Sequence, residues 1–199
     1  MEWSTGKLIL FFIAFGIVLI LFLTLIVWTK INGISPMPSS RKARREMVSA
    51  VAAVRDQIVS KGPAAAGRNV RIVELGCGWG SVLRPMARKM PDCTFTGYET
   101  SPLPCLFSSF SVWILGLKNI EVIRKNFFYA DLEGTDVIVC YLHPEGMERL
   151  EEKLFRSPPK PLFYLVSNTF QVSGLRPDSR TVVNDLFRSA IYVYKLRLI

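Results

Sequence analysis

Three glycines at alternating positions, Gly76, Gly78 and Gly80, follow at once on the apolar run from Val70 to Leu75. Few features restrict a chain more. Alternating glycines let the backbone turn sharply and let another backbone or a ligand approach closely. The short apolar run ahead of them reads as a buried strand. A helical pattern from Ser81 to Met90 comes next, with Pro85 in its first turns, where a missing N–H matters least. Strand, glycine loop and helix in that order open a parallel α/β sheet, whose ligands lie beyond the carboxyl ends of the strands.

The rest of the chain repeats the alternation. Met47, Val51, Val54 and Ile58 form one helical stripe between Arg41 and Ser60. Strands are expected at Thr94 to Glu99, Ile120 to Arg124, Asp136 to Leu142 and Leu162 to Ser167. Helices are expected at Leu103 to Leu117, ending around Gly116, and at Glu145 to Arg156, where Met147, Leu150 and Leu154 share a side. Val182 to Leu186 and Ile191 to Leu196 are expected to pair through "FRSA" as a final hairpin. The fold class is therefore α/β: a doubly wound, Rossmann-like sheet over residues 41–199, mostly parallel, with an antiparallel C-terminal hairpin.

Ahead of this domain, Leu8 to Trp28 carries no charge, and a helix of roughly 20 apolar residues crosses a bilayer core. Lys7 and Lys30 bracket the run, while Trp3 and Trp28 suit the two interfaces. The run is longer than a signal-peptide core, no Ala-x-Ala follows it, and it is apolar on all faces, unlike a soluble surface helix. We expect one transmembrane anchor over residues 1–30 and a linker, "INGISPMPSS", over 31–40, whose Ser39 or Ser40 caps the next helix. Arg41, Lys42, Arg44 and Arg45 then put the domain on the cytoplasmic, or equivalent, side. They account for part of the net charge of +9 and suit anionic lipid. Without interleaved aromatics they do not suit nucleic acid. Cys77, Cys93, Cys105 and Cys140 are scattered, and His143 is the single histidine, so a zinc site is not expected.

The loop also bears on the ligand. Dinucleotide sites use G-x-G-x-x-G, whereas here Ser81 stands where the third glycine of that pattern belongs. Glu74 precedes the loop, and an acid there suits a cationic ligand better than a pyrophosphate. Glu99 ends the second strand at the spacing of a ribose-binding acid, which fits either cofactor class. Asn126, after the third strand, can both accept from and donate to an adenine edge. Phe127 and Phe128 either flank a ring or join the core.

"VELGCGWG", "GYETSP", "KNFFYADL" and "DVIVCYLHPEGMERLEEKL" occur in the order and spacing of class I, seven-stranded S-adenosylmethionine-dependent methyltransferases, which residues 41–199 resemble. More closely, the chain is similar to small methyltransferases with one N-terminal span. Their eukaryotic relatives are mitochondrial protein-lysine methyltransferases acting on the ATP synthase c subunit and the adenine nucleotide carrier. The resemblance implies S-adenosylmethionine as cofactor. It implies contacts from Glu74, Gly76, Cys77, Gly78, Trp79 and Gly80, from Glu99 with Thr100, and from Asn126 with Phe127. Asn126 stands where the family usually has Asp. The signature of base amino-group methylation is missing after the fourth strand, which disfavours a nucleic-acid acceptor.

Tyr141 and His143, after that strand, are the candidates for catalysis: an aromatic face to hold an amine and a base to remove its proton. The expected function is methylation of lysine in a membrane-associated protein. A lipid or small hydrophobic acceptor, a non-catalytic adaptor on the same fold, and a dinucleotide oxidoreductase are the alternatives.

Overall fold

The computed structural model describes residues 5–32, 39–60 and 68–197, with side chains of the first helix described at 5–20 and 23. The chain divides into two units, Met1–Pro38 and Ser39–Ile199. In the first, helix α1 spans Thr5–Asn32. Leu10, Phe12, Ile13, Phe15, Val18 and Ile20 are all exposed, so the helix presents apolar side chains in every direction. Among the described residues no helix is long and apolar enough to cross a membrane. The expected span from Leu8 to Trp28 runs past the described side chains.

The second unit is a seven-stranded sheet with strand order β3-β2-β1-β4-β5-β7-β6. The strands are β1 (Arg71–Leu75), β2 (Thr94–Glu99), β3 (Ile120–Arg124), β4 (Val137–Cys140), β5 (Leu162–Asn168), β6 (Ser179–Val182) and β7 (Ala190–Arg197). β1 to β5 are parallel; β7 runs antiparallel between β5 and β6. The helices are α2 (Arg41–Val59), α3 (Leu83–Lys89), α4 (Pro102–Ile114) and α5 (Pro144–Arg156).

Strand alternation sorts the core into two layers. Ile72, Val137, Val139, Tyr164 and Val166 face α2 and α3, meeting Met47, Val51, Val54, Leu83 and Met86. Val73, Leu75, Ile138, Phe163 and Leu165 face α5, meeting Met147, Leu150 and Leu154. α2 and α5 thus bury the stripes that their sequence periodicity marks out. Ser40 caps α2, its Oγ accepting from the Ala43 amide at 3.0 Å. Pro85 falls in the first turn of α3.

The hairpin departs from expectation. Its first strand is Ser179–Val182, not 182–186. Asp185 ends the pairing: its carboxylate accepts from the Ser189 amide and hydroxyl, both at 2.9 Å, and folds residues 183–189 into a loop. Arg188 takes φ +47° to close it. The short side chain of an Asp competes for backbone donors in this way and so breaks a strand.

Candidate active site

Register builds the site at the carboxyl rim. Leu75 lies beside Tyr98 on one side and Cys140 on the other. Glu99 pairs with Arg124, and Cys140 with Ser167. The next residues therefore line up across one edge: Asn126 after β3, Glu99 closing β2, Gly76 after β1, Tyr141 after β4 and Asn168 ending β5. Adjacent strands are about 4.8 Å apart, so a ligand of nucleotide size can bridge several of these positions.

The glycine loop is held from beneath. The amides of Gly76 and Cys77 both donate to the Tyr98 carbonyl at 2.9 Å, and Gly80 N–H donates to the Cys77 carbonyl at 2.8 Å. Gly76, Gly78 and Gly80 have φ of +73°, +52° and +69°, the left-handed region that side chains disfavour. A Cβ on Gly76 or Gly78 would meet nothing within 4 Å, so that surface of the loop is open. A Cβ on Gly97 would lie 2.6 Å from Leu83 and 2.9 Å from the Cys77 sulfur. Glycine in β2 is what allows the loop to seat.

Glu99 is buried, and its two oxygens are divided between elements. One accepts from the Gly78 amide at 2.8 Å, the other from the Ser101 amide at 2.7 Å. A carboxylate has about four lone-pair sites, so two remain for other donors. Thr100, next in the chain, is half-buried. Glu74 is buried beneath the loop, and its Oε2 has no hydrogen-bond partner. Burial pushes its carboxyl up to about 8; the Leu83 amide opposes this and the charge of Glu99 adds to it. The Cys77 side chain is buried and faces the core, and burial pushes its thiol well up. Trp79 is half in solvent and sets its ring edge-on to Phe107 of α4, centroids 5.3 Å apart.

Asn126 caps a short 3-10 turn, Phe127–Tyr129, its Oδ1 accepting from Phe128 N–H at 3.0 Å. The Phe127 side chain is buried against Phe128, with Arg149 lying over the latter. Of the two readings of this pair, the core packing is the one observed for the Phe127 ring, which leaves its main chain at the strand end. Beyond β4, the Tyr141 ring stacks on Phe170, centroids 6.2 Å apart and 16° from parallel. His143 occupies the N-cap of α5 without a side-chain capping bond. Its imidazole lies over Gly146, where a Cβ would sit 3.8 Å from Nε2.

The structure thus brings Glu74, the loop glycines and Glu99 together, and sets Tyr141 on the neighbouring strand end. Sequence reasoning missed Phe170, Ser101 and Phe107. For Phe170 a signal existed: "TF" follows β5 as "YLH" follows β4. Thr169 there takes φ +67°, and left-handed non-glycine residues cluster at functional edges.

Solved structures share this architecture. An RNA methyltransferase from Salinibacter ruber, in complex with S-adenosyl-L-homocysteine, is 21% identical over 82% of this chain and 95% of its own, with a TM-score of 0.67. The Escherichia coli protein yhhF is 13% identical, covering 82% and 92% of the two chains, with a TM-score of 0.60. A mutant of MtNAS in complex with S-adenosylmethionine is 15% identical, covering 79% and 71%, at 0.55. No curated protein matches. These likenesses and the strand order define the class: a seven-stranded, Rossmann-like methyltransferase fold. Within it, the model of the ANTKMT methyltransferase domain matches residues 74–179, and the chain belongs to that family. It is an S-adenosylmethionine-dependent methyltransferase.

Proposed function

We propose that this enzyme is held at a membrane by α1 and methylates a lysine of a membrane-associated protein. The observation that carries the reading is the row at the carboxyl rim, with an open glycine loop and a divided carboxylate beside an aromatic pair. The family match over residues 74–179 supports a protein acceptor. Support for the anchor comes from α1 itself, whose apolar side chains are exposed all round.

The donor fits the residues present. An orphaned, buried Glu74 oxygen favours a cationic ligand, and the open faces of Gly76 and Gly78 admit one close to the backbone. S-adenosylmethionine, when bound, supplies an electrophilic methyl group on a sulfonium. Glu99 accepts from hydroxyl donors through its two remaining lone-pair sites, while Trp79 walls the loop. Asn126 offers its amide, and Phe127 its main chain, at the far end of the row. On the acceptor side, Tyr141 and Phe170 hold the amine against aromatic faces. His143 takes the proton that a lysine must lose before its lone pair is available. Holding that lone pair in line, at about 3 to 3.5 Å, is the protein's main contribution to rate.

Membranes from cells lacking this protein provide the test. Labelled S-adenosylmethionine is added with wild-type enzyme or with Glu99→Ala. The reading predicts a labelled protein band that yields methyl-lysine on hydrolysis and is lost with Glu99→Ala. Label found only in the organic extract would instead identify a lipid acceptor.

A further inference from the structure

The carboxyl rim holds more than the crevice. The Asn168 amide, at the end of β5, donates to Ser39 Oγ at 2.9 Å. Ser40 donates to Asp185 at 2.5 Å, and Lys42 Nζ to the Asn184 carbonyl at 2.7 Å. The catalytic unit's first residues are therefore fastened to the rim that carries Glu99 and Tyr141. The loop 183–189 is fastened there too, since β6 runs in the same sense as β1 to β5.

The tip of the loop is apolar and out in solvent: Leu186 is 89% and Phe187 61% exposed. It is also pre-shaped, because Asp185 grips Ser189 twice and Arg188 is turned to φ +47°. Ordering such a tip on binding costs little. Arg188 is exposed beside it, and Arg41, Lys42 and Arg45 are exposed in the first turns of α2. A leucine and an aromatic at a tip rimmed by cations match the interface of an anionic leaflet, where aromatic rings settle at headgroup level and each base adds attraction.

We propose that the loop 183–189 and the start of α2 form a lipid-docking edge. This edge seats Leu186 and Phe187 in an anionic leaflet and turns the acceptor crevice toward the membrane. The proposal rests on the anchored reading above and adds an orientation to it. An acceptor side chain at the membrane surface would then meet Tyr141 and His143 directly.

The four cysteines are buried, so a cysteine added at the surface of the full chain can be labelled selectively. Phe187→Cys, carrying an environment-sensitive fluorophore, is reconstituted in nanodiscs of phosphatidylcholine with or without phosphatidylglycerol. Trp113→Cys, on the exposed apolar side of α4, is the comparison, since Trp113 is 75% exposed. The expected result is a blue shift at 187, quenched by spin labels on lipid chains and enhanced by phosphatidylglycerol, with 113 remaining in water. A solvent-like signal at 187 in both discs, or burial of 113 in its place, would overturn the docking edge. Alkaline carbonate extraction separates the two layers of the account. Protein released by carbonate refutes the anchor and the docking edge together. Integrated protein with 187 in water refutes the docking edge alone.

Discussion

At the scale of residues, Glu74 and Glu99 are two carboxylates under one loop with different surroundings. Glu99 has two amide donors and Glu74 Oε2 has none. An unfolded Glu74 loses its proton near 4.5, the folded one near 8. Between those values the folded state holds the extra proton, so stability falls as pH rises through the window and is flat above it. Urea unfolding should show this slope, of the order of a few kcal/mol in all, and Glu74→Gln should remove it. A cationic donor favours the ionised carboxylate. Binding at about pH 7 should therefore release up to one proton, visible as a dependence of calorimetric heat on buffer ionisation. An identical heat in all buffers would place the donor's charge elsewhere. Neither the burial nor the missing partner was legible in the sequence, which marks an acid before the loop but not what surrounds it.

At the scale of elements, the loop separates stability from binding. In Gly80→Ala the new methyl would sit 2.4 Å from Ser108 Oγ, a buried hydroxyl without a partner, on a backbone of φ +69°. Steric conflict and strain together should cost about 1–3 kcal/mol and lower the melting temperature. Gly78→Ala meets open space at φ +52°, so its stability loss should be smaller while donor affinity falls more. Thermal melts and donor titrations of the two variants check this; parallel losses in both would contradict it. Among elements, β2 and β3 lie where the pattern of Thr94–Glu99 and Ile120–Arg124 puts them. Apolar runs bounded by turn residues leave little choice there. The hairpin was misplaced because Val182–Leu186 is apolar enough for a strand, and only the tertiary grip of Asp185 on Ser40 and Ser189 makes it a loop. Phe127 suits a core more often than a ligand, and its burial in the fold decides for the core.

At the scale of the molecule, the proposal gives the apolar α1 and the basic start of α2 the task of placing the enzyme, and the rim that of its chemistry. Removing residues 1–38 should leave donor affinity unchanged but slow labelling of membrane acceptors by about 10²-fold or more, the gain a tether supplies through effective concentration. Unchanged labelling by the truncated chain would contradict the anchored reading. Tyr141→Phe keeps the stack on Phe170 and should preserve acceptor KM better than Tyr141→Ala, whereas His143→Gln should act on kcat. Topology and the cofactor were largely legible, because glycines and carboxylates carry that chemistry in short stretches such as "VELGCGWG". The proposed acceptor end was not. Its aromatic wall joins Tyr141 and Phe170 from beyond two strand ends, a pairing that only the β4–β5 register creates.

In the proposed complex the donor sits on the glycine loop and is held by Glu99. Calorimetric titration of the full chain with S-adenosylmethionine measures that contact. Saturable binding to wild type is expected, weakened at least about tenfold in Glu99→Ala, because the part-buried Gly78 and Ser101 amides lose their carboxylate acceptor. No binding to wild type, or the same affinity in Glu99→Ala, would contradict it.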